Sequence, residues 1–110
     1  MLLNIMLVML TTCPDRKSAD KIARTLVEDY YAACVNIINV DSSVYVWKGK
    51  LKEGSEYLLL IKSKRSFREL ESKIKSIHPY KIPELISINV EKESMDYLNW
   101  VIDCCHSKEK

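Results

Sequence analysis

Hydrophobic and polar positions divide the chain into segments with the two-residue period of a strand and segments with the 3.6-residue period of a helix. Leu2 to Leu10 is apolar except for Asn4, which is typical of a strand covered on both faces. Asp15 then stands where a helix N-cap is expected. The helix that it opens has inward positions at helical spacing, namely Ala19, Ile22, Ala23, Leu26, Val27 and Tyr30.

A long hairpin is predicted next. Residues 32–47 read as a strand with a bulge or bend at Asp41-Ser42-Ser43, and Lys48-Gly49-Lys50 is the turn. After a further break at Glu53-Gly54-Ser55, a strand resumes over residues 57–63. The outer part of this hairpin, here called the arm (residues 43–54), should project beyond a small sheet. Because a two-stranded ribbon is only marginally stable in water, we expect the arm to pack on a partner subunit.

Two more helices and a strand complete the pattern. Ser66 and Glu69 form the S-x-x-E pattern of a capping box, and the helix that follows must end before His78-Pro79. Residues 85–90 have the composition of a fourth strand, and Ser94 caps a last helix. The order β-α-β-β-α-β-α predicts an α+β protein with a ferredoxin-like βαββαβ sandwich and an added C-terminal helix.

The predicted topology leaves one sheet face open. With strand order 4-1-3-2, right-handed crossovers place both main helices on the same face. The last helix can cover part of the other face, and we expect another subunit to cover the rest. We predict one domain over residues 1–110, with a short charged tail at about 107–110.

Composition excludes several classes of function. Seventeen basic against fifteen acidic residues give a net charge of +2, too balanced for a protein that binds nucleic acid through phosphate contacts. The apolar N-terminus lacks a basic segment and a cleavage pattern, so we interpret it as a strand, and charges interrupt every other apolar run. We expect no membrane partner, a cytoplasmic location and four reduced cysteines.

The segment His78-Pro79-Tyr80-Lys81-Ile82-Pro83-Glu84, here called the connector (residues 78–84), combines rigidity with polar side chains. Its two prolines fix the backbone and exclude a helix. The predicted topology places Cys13, His78, Tyr80 and Glu84 at the same end of the domain and Cys34 at the other. The alternative interpretation is a stiff turn with solvated side chains.

A thiolate, an imidazole and a carboxylate together suit copper or zinc, so Cys13, His78 and Glu84 are the candidate metal ligands. One subunit offers too few ligands for a closed tetrahedral site. Alternatively, Cys13 is a small thiol at a strand end and His78 completes a helix turn. A Cys13–His78 nucleophile and base lacks an evident third group or oxyanion motif, so we expect no enzymatic activity. Cys104-Cys105-His106 is a weak signal for a soft cation.

Several short motifs taken together are specific. The chain contains Ala33-Cys34-Val35-Asn36-Ile37, Tyr45-Val46-Trp47-Lys48-Gly49 and His78-Pro79-Tyr80 with Ile82-Pro83-Glu84, in this order. With Thr12-Cys13-Pro14-Asp15 and Glu56, they resemble the CutA divalent-cation tolerance family over essentially the whole chain. The resemblance implies a tight homotrimer whose long strands pair across subunits, and a role in tolerance of copper and other divalent cations. It also implies an architecture like that of trimeric PII signalling proteins, so a regulator binding a small ligand or a protein is the alternative.

Family residues carry over at a limited set of positions. His78, Tyr80, Pro83 and Glu84 match the signature segment, Cys34 and Asn36 match the strand-two motif, and Tyr45, Trp47 and Gly49 match the arm. Cys13 stands where the family varies, so its role as a ligand is a hypothesis. We expect a trimer to place Cys13 and His78 of one chain in a cleft beside Tyr45 and Trp47 of its neighbour, near Tyr80.

Overall fold

A computed structural model describes residues 6–106, so the first residues of the first predicted strand and the charged tail lie outside the described part. The elements follow the predicted order: β1 Leu7–Cys13, α1 Arg16–Glu28, β2 Cys34–Trp47, β3 Lys50–Ser63, α2 Phe67–Lys75, β4 Ile86–Asn89 and α3 Met95–Cys104. The protein has an α+β fold with four strands and three helices in this part of the chain. No helix within residues 6–106 is both long and apolar enough to cross a membrane.

The four strands form one sheet in the order β2-β3-β1-β4, and every neighbouring pair is antiparallel. The predicted strand order is therefore confirmed, with β1 and β2 pointing one way and β3 and β4 the other. β1 pairs with β3 from Leu7 to Cys13 but with β4 only from Leu7 to Leu10. The last three residues of β1 are thus left without a strand on that side.

The hairpin is longer and more regular than the sequence indicated. The predicted irregularity in β2 is confirmed, since the register shifts between Val40 and Ser43. The predicted break at Glu53-Gly54-Ser55 was wrong, because Gly54 pairs with Ser43 and β3 continues without interruption to the turn. Only β2 and β3 pair in the arm, so it projects from the sheet as a two-stranded ribbon.

The turn at the tip of the arm has two central residues in the left-handed region, Lys48 with φ of 53° and Gly49 with φ of 77°. Two successive positive φ angles match the right-handed twist of the strands, as in a type I′ hairpin. Gly49 adopts this conformation without steric cost, whereas Lys48 does so with strain.

Each helix begins with the predicted cap. The Asp15 carboxylate accepts the Ser18 N–H at 2.8 Å, and Ser94 Oγ caps α3 in the same way. In α2, Ser66 Oγ accepts the Glu69 N–H at 3.2 Å while the Glu69 carboxylate accepts the Ser66 N–H at 3.0 Å. These bonds satisfy N–H groups that have no partner within the helix.

The inward side of α1 differs from the prediction at its C-terminal end. Ala19, Ile22, Ala23 and Leu26 are buried as expected. Val27, however, is exposed, and Tyr30 lies beyond the end of the helix with φ of 65°. The left-handed conformation at Tyr30 ends the helical periodicity on which Tyr30 was predicted to be inward, whereas Val27 lies within the helix and is exposed there.

One face of the sheet is covered by α1 and α2. Its core contains fully buried side chains from every layer, including Met9, Leu59, Ile61, Ile22, Leu26, Leu70 and Ile74. The opposite face, here called the uncovered face, carries Val8, Leu10, Ile38, Leu58, Leu60, Ile86 and Ile88. α3 packs near Met6 and Ala33 at one end of the sheet. On the rest of the uncovered face, Ile38, Ile86 and Ile88 are exposed and the other apolar side chains are partly buried.

Candidate functional site

The connector lies along the edge of β1 that β4 does not reach. α2 ends at Lys75, and the two prolines hold the following chain in an irregular but fixed path. His78 is thereby brought against Thr11, Thr12 and Cys13. The predicted meeting of His78 with the end of the first strand is confirmed.

His78 has a hydrogen-bond partner on each ring nitrogen. The Tyr80 backbone N–H donates to Nδ1 at 3.0 Å, so the ring proton lies on Nε2. Nε2 donates to the Thr12 carbonyl at 2.9 Å and lies 3.2 Å from Thr11 Oγ1. Burial lowers the pKa of His78 below its usual value, although the Thr12 bond and the Glu56 charge oppose this effect. The imidazole is therefore neutral at pH 7 and held in one tautomer.

Tyr80 connects the same segment to the hairpin. Its hydroxyl donates to Glu56 Oε2 at 2.7 Å, and its ring stacks at an angle on His78 with 5.2 Å between centroids. Burial raises the pKa of Tyr80 above its usual value, and the Glu56 hydrogen bond and charge raise it further, with a smaller effect from Tyr45. The phenol is therefore a permanent donor at neutral pH.

Glu56 was assigned no role from the sequence, although it completes the network. Glu56 lies at the same end of the sheet as Cys13, because Cys13 pairs with Tyr57, the residue that follows Glu56 in β3. Thr11 and Thr12 were missed in the same way. Their contacts to His78 depend on the path of the connector, which sequence periodicity does not specify.

Cys13 is fully buried, and its Sγ lies 4.0 Å from His78 Nε2. Burial, with smaller effects from the charges of Asp15 and Glu56, raises the pKa of the Cys13 thiol to about 11. The thiol is therefore protonated at pH 7. Since a thiolate is the form that binds a metal or attacks a substrate, this environment opposes both kinds of chemistry in the conformation described.

The other predicted site residues do not join Cys13 and His78 in a ligand cluster. Glu84 is exposed at the end of the connector, and Tyr45 and Trp47 are half exposed on the arm. Within residues 6–106, no three His, Cys, Asp or Glu side chains lie close enough to hold a metal ion. A thiol beside an imidazole suits copper or zinc chemically, but one chain in this conformation does not complete a site.

The other thiols lie away from this network. Cys34 begins β2, at the opposite end of the sheet from Cys13. Cys105 is buried at the C-terminal end of α3, where its Sγ accepts the Lys64 N–H at 3.5 Å, and Cys104 is the last residue of the helix. All four cysteines of the chain are free thiols in the structure.

The fold defines an α+β protein with a long hairpin, an uncovered apolar face and a polar network at the end of β1. Comparison with known proteins shows which family this chain matches. The CutA1 divalent ion tolerance protein family matches residues 7–104. The chain therefore belongs to the CutA1 divalent ion tolerance family.

Individual relatives agree with the family match. Protein CutA of Homo sapiens is 46% identical over 82% of this chain and 51% of its own length. Divalent-cation tolerance protein CutA of Thermus thermophilus is 39% identical over 86% of this chain and 92% of its own length. The crystal structure of divalent ion tolerance protein CutA1 from Ehrlichia chaffeensis superposes with a TM-score of 0.88 at 29% identity, covering 96% of this chain and 99% of that one. The chain spans about half of the length of the human relative.

Proposed function

We propose that this protein is a cytoplasmic homotrimer of ferredoxin-like subunits that binds divalent cations, copper among them, and acts in metal ion tolerance without catalysing a reaction. Membership of the divalent ion tolerance family supports the link to divalent cations. The uncovered face supports the oligomer, and the Cys13–His78 pair supports the cation site.

The uncovered face and the arm both expose large apolar side chains, and extended apolar patches are typical of interaction surfaces. Ile38, Ile86 and Ile88 are between 41% and 51% exposed. On the arm, Val46 and Leu51 are still more exposed, and the ribbon has no third strand. A neighbouring subunit that covers both regions would remove this surface from water and stabilise the ribbon.

The single observation that carries the cation proposal is the 4.0 Å distance between Cys13 Sγ and His78 Nε2. We infer that these two side chains would hold the ion, with Glu84 and the arm of a neighbour, Tyr45 and Trp47, lining the rest of an inter-subunit cleft. Imidazole nitrogen and thiolate sulfur select copper or zinc over calcium or magnesium. The cleft supplies donors that one chain lacks.

A regulator that binds a small ligand in the same cleft is the second candidate. This candidate is favoured because both ring nitrogens of His78 already have hydrogen-bond partners, so the imidazole has no free nitrogen for a cation. Such a network can present Tyr80 and Glu56 to a polar ligand without any exchange of bonds at the imidazole.

A copper titration of the full chain tests the proposal. We expect stoichiometric Cu²⁺ binding that is weakened at least about tenfold in His78→Ala and in Cys13→Ala, since each removes a ligand. Cys34→Ala is the matched control, because it removes a thiol at the opposite end of the sheet. Sedimentation velocity must show the same trimer in all four proteins.

Weak binding, or binding unchanged in both variants, would contradict the cation site and favour the small-ligand regulator. A monomer at micromolar concentration would contradict the inter-subunit cleft whatever the affinity.

A further inference from the structure

Two charged side chains stand among the apolar residues of the uncovered face. Of the strand residues on this face within residues 6–106, and outside the arm, only Glu56 and Lys62 are charged. β3 alternates without interruption, so both lie on the same side as Leu58 and Leu60. Positions 56 and 62 are roughly 20 Å apart along an antiparallel strand. The face is therefore an apolar strip with a negative charge at one end and a positive charge at the other.

Lys62 stands at the positive end, on an inner strand between Cys34 of β2 and Val8 of β1. Its ammonium donates to the side-chain oxygen of Asn36, which uses one of its three hydrogens. Within residues 6–106 the partly buried ammonium has no carboxylate at ion-pair distance. A subunit that covers this face would take the remaining hydrogens out of water, which is costly for a charge without a counter-ion.

Glu56 stands at the negative end and has the same requirement with the opposite sign. Its Oε2 accepts the Tyr80 hydroxyl at 2.7 Å, whereas its Oε1 has no hydrogen bond or ion pair in the described part of the chain. The carboxylate is partly buried, so a covering subunit would also remove it from water. A strip with opposite charges at its ends is complementary to a second copy of itself and not to a purely apolar partner.

The arm determines which end of the strip meets the neighbouring subunit. β2 and β3 continue past Glu56 to the turn, so the arm projects from the Glu56 end. A neighbour that receives the arm must lie beyond that end. In a closed ring every subunit meets the next in the same head-to-tail way. The Glu56 end of one subunit then faces the Lys62 end of the next.

We propose that Glu56 of one subunit and Lys62 of the next form an inter-subunit ion pair that fixes the direction in which the subunits join. This inference rests on the proposed homotrimer and specifies the chemistry of its interface. Tyr80 holds one carboxylate oxygen and Asn36 holds the ammonium, so both groups are positioned before they meet and lose less entropy on pairing. A subunit added in the opposite direction would place like charges together, which disfavours that arrangement.

Charge exchange between the two positions tests the pair. Sedimentation velocity of the full chain over a range of dilutions gives the concentration at which half of the subunits are dissociated. We expect Lys62→Glu and Glu56→Lys each to raise this concentration at least about tenfold, because each places like charges in contact. The variant with both substitutions should return to the wild-type value. Lys21→Glu, the same charge change on the outer side of α1, is the matched control and should assemble like wild type.

Neutral variants test the pair without adding repulsion or altering the fold of one chain. Lys62→Met leaves the neighbour's carboxylate without a counter-ion, so it should weaken assembly about tenfold. If Lys62 faced an apolar surface instead, Lys62→Met would strengthen assembly, because an unpaired buried charge would be removed. Glu56→Gln keeps an acceptor for Tyr80, and its effect combined with Lys62→Met should be smaller than the two separate losses added together.

Each contrary outcome has a definite meaning. Wild-type assembly by either single charge variant, or no recovery in the doubly exchanged variant, overturns the ion pair and leaves the homotrimer intact. Unchanged or stronger assembly of Lys62→Met overturns it as well. A wild-type protein that is monomeric at micromolar concentration removes the proposed homotrimer and the pair together.

An equimolar mixture of Lys62→Glu and Glu56→Lys separates the ion pair from the number of subunits. In a ring with an even number of subunits, alternation of the two variants brings opposite charges together at every interface. A ring of three always keeps one interface between like charges. The mixture should therefore recover assembly less completely than the doubly exchanged variant. Equal recovery would support the pair and contradict the trimer.

Discussion

The two faces of the sheet have similar apolar content and opposite environments. On the face covered by α1 and α2, Met9, Leu59 and Ile61 are fully buried. On the uncovered face, Ile86 and Ile88 keep about half of their surface in water. The strands alternate between these faces residue by residue, so neighbouring side chains such as Leu59 and Leu60 belong to different environments.

This difference distinguishes the sheet face that one chain buries by itself from the face that only an assembly can bury. The covered face derives its burial from helices of the same chain and should fold at any dilution. The uncovered face gains burial only from a partner, so its contribution should depend on protein concentration.

The largest effect is expected from Ile61→Ala on the covered face. Removing a fully buried isoleucine should lower the free energy of unfolding by about 2–5 kcal/mol, because a cavity remains in a packed core. Urea denaturation followed by circular dichroism measures it. Ile88→Ala is the matched variant on the uncovered face, and its effect should shrink as the protein is diluted. Equal losses for both variants in dilute, monomeric protein would contradict the distinction between the faces.

A smaller effect on stability is expected at the N-terminus of α2, one of the two helices on the covered face. Ser66→Ala removes one half of the capping box and should lower the free energy of unfolding by about 0.5–2 kcal/mol. The bond from the Ser66 N–H, with help from Arg65, lowers the pKa of Glu69 below its ordinary value of 4.5. The unfolded chain therefore takes up this proton first as the pH falls.

The stabilisation from Glu69 should be complete above about pH 4.5 and decrease as the pH falls through the lower value of the folded state. Urea denaturation at several pH values between about 3 and 6 measures how the free energy of unfolding changes with pH. Glu69→Gln should lose that part of the pH dependence. A slope unchanged in Glu69→Gln would show that other carboxylates account for the acid sensitivity.

The smallest effect on the stability of the single chain is expected from Ile88→Lys. The same substitution is the most informative test of assembly. The side chain is half exposed, so the substitution should change the stability of the single chain by no more than about 0.5 kcal/mol. A charge on the uncovered face should nevertheless prevent another subunit from packing there. Sedimentation should therefore find a folded monomer. A trimer that tolerates this lysine would place the interface elsewhere.

Much of the fold was predictable because its signals are local. The Asp15 and Ser66 caps, the helical spacing of α1 and the irregularity at residues 41–43 all depend on neighbours in sequence. The strand order followed from the β-α-β-β-α-β order of the elements, and the handedness of the crossovers placed both main helices on one face. The predicted break at residues 53–55 failed because a glycine indicates a turn only when no partner strand holds it, and here Gly54 pairs with Ser43.

The site was less predictable because its contacts are not local. The approach of His78 to Cys13 followed from topology, but the bonds to Thr12 and to the Tyr80 amide depend on a path that the prolines restrict and do not specify. The partner of Tyr80 was missed because the register of β3, which places Glu56 beside the connector, cannot be read from composition. Glu84 was grouped with the site because the predicted topology places the start of the fourth strand at the same end of the domain, and its side chain is exposed in the structure.

The bulge in β2 has a consequence for the surface of the arm. Two residues of β2, Asp41 and Ser42, stand opposite the single residue Ser55, while β3 alternates without interruption. The bulge therefore acts as a phase shift, after which odd-numbered rather than even-numbered side chains point to the side of the uncovered face. Tyr45 and Trp47 occupy that side because of it. Deleting one residue there would present two valines instead, so a one-residue change in length would replace an aromatic surface by an aliphatic one.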